Sequence, residues 1–158
     1  MSHKIFTTLV KYVHSTYAAL EVAFDRVKSE YESAKFVPID LCKNVSKKSR
    51  RINFEYVRMG GDASTNEVLD EMSRRGLRPA LYEELLAFAR KYPDEQRKFP
   101  IIALGSVWSS NSGDCCVAGL HGDSSERCLD RGGPALQVAH PAAWRAEQRL
   151  GGRHPAHR

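Results

Sequence analysis

No stretch of this sequence runs uncharged and apolar for the roughly 18 residues that a membrane-crossing helix needs, because Lys11, Glu21, Asp25 and Arg26 break up its most apolar region. The opening Met1-Ser2-His3-Lys4-Ile5-Phe6-Thr7 lacks the continuous apolar core and small-residue cleavage site of a secretory signal. Together these absences predict a cytoplasmic chain with no membrane partner. Cysteine is scarce: Cys42, Cys115, Cys116 and Cys128 are all there is, and a cytosolic chain keeps such thiols reduced. Zinc modules present ligand pairs two to four residues apart, twice, and that spacing is missing here. Adjacent Cys115 and Cys116 on a strand would point to opposite faces, so they would not share an ion. Gly60-Gly61 lacks the spacing and the following lysine of a phosphate-cradling loop. His121 beside a cysteine is the nearest approach to a nucleophilic pair, and no residue is placed to orient the imidazole. No catalytic, cofactor-binding or metal-ligating residue is therefore assigned, and no cofactor is expected.

What is present is an ordinary globular composition, 42% apolar and 27% charged in 158 residues, enough for one hydrophobic core. Val10, Val13, Tyr17, Leu20, Phe24, Val27 and Tyr31 are spaced alternately three and four apart, with Phe6 extending the series backward. That spacing predicts a long helix over about residues 5 to 34, within an N-terminal unit 1–37 that Pro38 closes. Its seam over 6–31 would pack on the same domain or support self-association.

The net charge is +5, and its distribution says more than its size. All nine lysines lie at or before Lys98, and five cations, Lys43, Lys47, Lys48, Arg50 and Arg51, crowd into a connector over residues 38–51. Such a run can neutralise phosphates, which makes nucleic acid one candidate partner. No stacking aromatics interleave the cations, and a solvated linker explains them as well.

Residues 52–130 read as an α+β domain. Ile52-Asn53-Phe54-Glu55-Tyr56 alternates as a strand. Ser64-Thr65-Asn66-Glu67 fits a capping box opening a helix that buries Val68, Leu69 and Met72, and Gly76 supplies the left-handed residue at its end. A second helix from Ala80 aligns Leu81, Leu85, Phe88 and Tyr92 on one face and stops at Pro93. Asp70, Glu71, Glu83 and Glu84 are expected on solvent faces. Three strands, at about 99–108, 115–120 and 127–129, then suggest an antiparallel meander.

Residues 131–158 change character. Eighteen of the 28 are Arg, Gly, Pro or Ala, and Lys, Ile, Phe, Tyr, Ser, Thr, Asn, Asp and Met are absent. Such a composition predicts either a disordered basic tail or the out-of-frame translation of a GC-rich gene.

Val57-Arg58-Met59-Gly60-Gly61-Asp62-Ala63-Ser64, Arg75-Gly76-Leu77-Arg78-Pro79-Ala80, Glu83-Glu84-Leu85-Leu86-Ala87-Phe88 and Phe99-Pro100-Ile101-Ile102-Ala103-Leu104-Gly105-Ser106 follow one another between Ile52 and Trp108. With these residues the stretch 52–108 resembles a family of uncharacterised bacterial proteins, a likeness that carries no assigned activity. It implies further strands ending in an Arg-Phe-Leu-Ala-Val-like segment, which this chain lacks after Asp130. More distantly, the order strand, helix, Arg-Pro-Ala, helix, strand is similar to the opening of C-type-lectin-like domains, including those of formylglycine-generating enzymes and ligand-binding variable proteins. Fold analogy of that kind does not license a function.

The expected fold is thus α+β: a long N-terminal helix, a two-helix unit and a small antiparallel β-sheet, with a disordered C-terminal tail. The expected function is that of a non-enzymatic module binding a protein or small ligand through its β-region loops, with Trp108, Asn111, His121 and Asp123 as ligand-binding residues. Nucleic-acid binding through the basic connector, and an enzyme of unknown class, are the alternatives.

Overall fold

The computed structural model describes residues 4–12, 26–27, 39–40, 45–46, 48–60, 63–109, 115–132 and 143–148; at 26–27, 39–40, 108–109, 115–116, 130–132 and 143–148 it describes the backbone. The strands are β1 (Ile5–Val10), β2 (Arg26–Val27), β3 (Ile39–Asp40), β4 (Arg50–Val57), β5 (Ile101–Ser109), β6 (Cys115–Gly122), β7 (Arg127–Gly132) and β8 (Ala143–Gln148). The helices are α1 (Thr65–Arg74), α2 (Tyr82–Lys91) and the single turn α3 (Glu95–Lys98). All eight strands join one sheet in the order β1-β4-β8-β5-β6-β7-β2, with β3 beside β5. Mixed α+β content is therefore present, and no described helix is long and apolar enough to cross a membrane.

The long N-terminal helix is not. The first described helix begins at Thr65, and residues 5–10 form a strand instead, pairing antiparallel with β4 from Ile5↔Glu55 to Val10↔Arg50. The reason is a shared spacing. Phe6 and Val10, four apart, lie on one face of a helix and equally on one face of a strand, and here Phe6, Thr8 and Val10 are buried in alternation. Ile5, Thr7, Thr8 and Val10 are β-branched, which favours the pleated alternative once a partner strand exists. Val27 lies in β2, parallel to β7, and the rest of the proposed seam, from Val13 to Phe24 and at Tyr31, falls outside the described residues.

Two further expectations need correction. The sheet is neither small nor purely antiparallel, since β5 meets β8, and β7 meets β2, in parallel. Within the tail, residues 143–148 join the sheet: β8 inserts between β4 and β5, with Tyr56↔Trp144 and Ile102↔Ala143 in register, and residues 133–142 and 149–158 lie outside the described residues.

Each face of the sheet carries its own core. On one face α2 covers Phe6, Val10, Ile52, Phe54, Ile101, Ala103, Ala118, Leu120 and Leu129 with Leu85, Phe88 and Ala89. On the other, Val68 and Met72 of α1 pack with Val57, Ile102, Leu104 and Val117. The capping box of α1 is present: Ser64 Oγ accepts from the Glu67 amide at 3.3 Å and Glu67 Oε2 accepts from the Ser64 amide at 2.6 Å. Gly76 sits at φ +67°, the left-handed turn that releases the chain toward α2. The Arg78-Pro79-Ala80 link is then pinned to β5. Gly105 donates its amide to the Ala80 carbonyl at 2.8 Å, and Ser106 Oγ accepts from the Tyr82 amide at 2.9 Å. This contact falls in a bulge where β5 slips against β6 between Ala103 and Val107.

Candidate functional site

β1 ends the strand order, so no described strand pairs with its outer side. Sheet edges expose backbone donors and acceptors, and proteins usually cover them. Here Tyr92, just past α2, does so at one residue: its hydroxyl accepts from the Thr7 amide at 3.1 Å and donates to the Thr7 carbonyl at 2.9 Å. Lys91 Nζ also donates to that carbonyl at 2.6 Å. Because backbone groups repeat every second residue along a strand, Leu9 aims its own N–H and C=O toward the same outer side.

Between this edge and α2 lies a groove of about 430 Å³. Leu9, Leu86 and Ala87 supply its apolar surface, with Thr8 beside them. Lys11, Arg90 and Lys91 rim it against one carboxylate, Glu83. Leu9 and Ile5, both on β1, are the exposed large hydrophobic side chains among the described residues, at 52% and 51%. Arg51 lies opposite Leu9 on β4 and is exposed as well, on the face of the sheet away from α2. The groove is thus apolar inside and cationic around.

Two buried carboxylates, by contrast, are committed to structure. Glu84, expected at the solvent side of its helix, is fully buried. Its Oε1 accepts from Arg78 Nη1 and the Leu81 amide, both at 2.8 Å, and its Oε2 from Arg78 Nη2 at 2.7 Å and the Tyr12 hydroxyl at 2.8 Å. Four donors on two oxygens leave no free lone pair for taking a substrate proton. Leu81 offers no side-chain cap to α2, so the Glu84 carboxylate supplies that acceptor from inside the first turn. At the other end of the sheet Glu95 accepts from Tyr56 at 2.8 Å and Lys98 at 2.7 Å. Burial, then the neighbouring carboxylate, pushes the Tyr12 and Tyr56 hydroxyls well above the ordinary phenol range, so both stay protonated donors. Around them Phe6, Tyr56, Phe88, Tyr92 and Phe99 pack edge to face, with centroids 4.9 to 5.2 Å apart in the closest pairs.

Three of the four residues expected to bind a ligand fall among the described residues. Trp108 lies on β5 opposite Cys116, and Asn111 is outside the described residues. His121 is half-buried near the end of β6, and its carbonyl accepts from Gln96 Nε2 at 2.7 Å. Asp123 is exposed but occupied: Oδ1 accepts from Ser125 Oγ at 2.7 Å and from the amides of Ser125 and Glu126 at 2.7 and 3.0 Å. These bonds, Ser125 Oγ foremost, hold its carboxyl down at about 2. Arg97 also donates to the Asp123 carbonyl. The 121–126 turn therefore has a structural role that its Ser- and Gly-rich sequence conceals.

Of the basic connector, Lys43 and Lys47 lie outside the described residues, while Lys48 and Arg51 are exposed. Arg50 opens β4 with its guanidinium over the Tyr12 ring at 5.3 Å, and its Nε and Nη2 are buried without hydrogen-bond partners, turned away from any phosphate in solvent. Among the described residues of this cluster, Arg50 thus faces inward while Lys48 and Arg51 are exposed. Among the described residues no three His, Cys, Asp or Glu side chains converge as metal ligands, and Cys128 is buried. No family model matches the chain, and no curated protein or solved structure matches it either.

Neither the groove nor the Arg78–Glu84–Tyr12 cluster was legible in sequence as a site. The first needs β1 at the sheet edge beside a helix some 75 residues later. The second left one trace: a helix start at Leu81 that lacks a capping side chain and carries Glu at the third helical position.

Proposed function

We propose that this domain is a non-enzymatic interaction module that takes a peptide segment of a partner protein in the groove between β1 and α2. The observation that carries the reading is the groove beside the last strand of the sheet order, lined by Leu9 of β1 with Leu86 and Ala87 of α2, where Leu9 is half exposed. A strand at the end of a sheet offers backbone groups to another chain, which fits a docking role. The alternative of an enzyme gains no support from the buried acids, because Glu84 and Glu95 are held by structural donors.

Random-peptide selection against the immobilised full chain tests this, with Leu9→Glu as counter-screen. Because Leu9 is half exposed, the substitution changes stability by under about 1 kcal/mol. Enriched peptides that bind the natural protein and lose binding on Leu9→Glu are the expected outcome. Peptides indifferent to Leu9→Glu, or no enrichment, would refute it.

A further inference from the structure

We infer that the peptide taken by this groove is acidic and binds as an added strand along the β1 edge. The inference rests on the docking role proposed above and specifies its partner chemistry.

Charge comes first. Lys11, Arg90 and Lys91 line the groove, with Glu83 as the carboxylate of that lining. Lys11 and Arg90 are exposed and stay available to an incoming carboxylate, while exposed Lys91 spends one of its three donors on the Thr7 carbonyl. A basic peptide would meet repulsion at three sides of the groove, and a neutral one would leave the cations unused.

The backbone sets the mode. An extended peptide beside β1 can exchange hydrogen bonds with the N–H and C=O of Leu9, turning alternate side chains toward Leu86 and Ala87 of α2 on one face of the sheet and toward the Leu9 side chain on the other. A strand's two-residue repeat is the geometry that presents apolar and acidic groups alternately to such a groove. Pairing cannot continue unopposed along the strand, because the Tyr92 hydroxyl already occupies both edge groups of Thr7. Tyr92 therefore acts as a stop that confines the added strand to the Leu9 end and discourages open-ended pairing between copies.

The stop makes the mode testable separately from the charge. A fluorescein-labelled peptide of alternating valine and glutamate is titrated into the full chain by fluorescence polarisation, beside valine–glutamine and valine–lysine peptides of equal length. The glutamate peptide is expected to bind tightest and to weaken with added salt. Lys11→Glu with Arg90→Glu should weaken it by about tenfold, each exposed pair being worth up to about fivefold. Tyr92→Phe frees the Thr7 amide, leaving Lys91 on its carbonyl, and should tighten it by about fivefold, an effect that a merely structural tyrosine would not produce.

Equal binding of all three peptides, still abolished by Leu9→Glu, would overturn the acidic preference and leave the groove reading standing. Binding of none would overturn the inference, and the peptide selection would then decide the groove reading alone. Glutamate-peptide binding that Tyr92→Phe leaves unchanged or weakens would overturn strand addition. A single-stranded oligonucleotide that displaces the peptide and depends more strongly on Lys11 and Arg90 would replace the acidic peptide by nucleic acid.

Discussion

Gly105 is the residue whose replacement by alanine should test the architecture most sharply. A Cβ at this position would stand 2.4 Å from the Ala80 carbonyl oxygen and 2.8 Å from both the Ala80 carbonyl carbon and the Pro79 oxygen. All three are backbone atoms, so no rotamer change relieves them. Ordinary contact begins at 3.4 Å, which means the 79–80 segment must withdraw from β5 by roughly 1 Å. Withdrawal breaks the Gly105–Ala80 hydrogen bond, worth about 1 kcal/mol, and adds about 1 to 3 kcal/mol of overpacking. It also loosens the Tyr82 amide on Ser106 and shifts the first turn of α2. Against this, alanine lowers the entropy of the unfolded chain, an opposing gain of about 0.4 to 1 kcal/mol. The net cost expected for Gly105→Ala is about 2 to 3 kcal/mol, a lowering of Tm by roughly 5 to 12 °C for a domain of this size.

Thermal melts followed by circular dichroism, with urea titration for the free energy, measure this directly. Gly60→Ala is the control, since no atom lies within 4 Å of its added Cβ and a change under about 0.5 kcal/mol is expected. Equal stability of the two variants would mean that the Arg-Pro-Ala link does not lie against the β5 bulge, and the placement of α2 over the sheet would fail with it.

Glu84→Gln should cost about 3 to 5 kcal/mol in urea titration, because it strips the charge from a fully buried carboxylate and leaves Arg78 uncompensated; a loss under 1 kcal/mol would contradict the four-donor geometry. Ser64→Ala should cost about 1 kcal/mol through the lost cap of α1, and an unchanged denaturation midpoint would refute that role. The Asp123 carboxyl, followed by carbon NMR, should titrate at about 2 rather than at its ordinary 3.8. Its folded value is depressed, so its contribution to the hairpin is complete above 3.8 and disappears as pH falls through 2; Ser125→Ala should move the midpoint upward, and a midpoint near 3.8 in the natural protein would contradict the turn.

Local rules were legible where one mechanism has one sequence signature. The Ser64–Glu67 pair and Gly76 bracket α1 as their chemistry requires, and Leu81, Leu85 and Phe88 mark the inner face of α2. The strands from Ile52, Ile101, Cys115 and Arg127 follow from short β-rich runs between turns. Legibility failed where one pattern serves two periods. A spacing of four places Phe6 and Val10 together in either geometry, and the heptad series beyond them tipped the reading toward a helix. The β-branched content of Ile5, Thr7, Thr8 and Val10 was the discriminating signal, and its partner β4 lay 40 residues away. β8 was hidden in another way, since averaging over residues 131–158 buries a six-residue strand among Arg, Gly, Pro and Ala.

Charge was misread for a related reason. Counted along the chain, Arg50 and Arg51 belong to one basic run; placed on a strand, they face opposite ways. Arg50 turns inward over Tyr12, on the side where Val10 is buried, and takes no part in meeting a polyanion. Arg51 turns the other way, onto the face that carries Leu9, while Lys11, Arg90 and Lys91 line the groove from other points of the sequence. Of the run, Lys48 and Arg51 remain exposed and Lys43 and Lys47 lie outside the described residues, while Lys11, Arg90 and Lys91 meet at the groove without any sign of it in the sequence. The proposed partner chemistry follows from the groove, because it joins these cations to Leu86 and Ala87 beside the last strand of the sheet order.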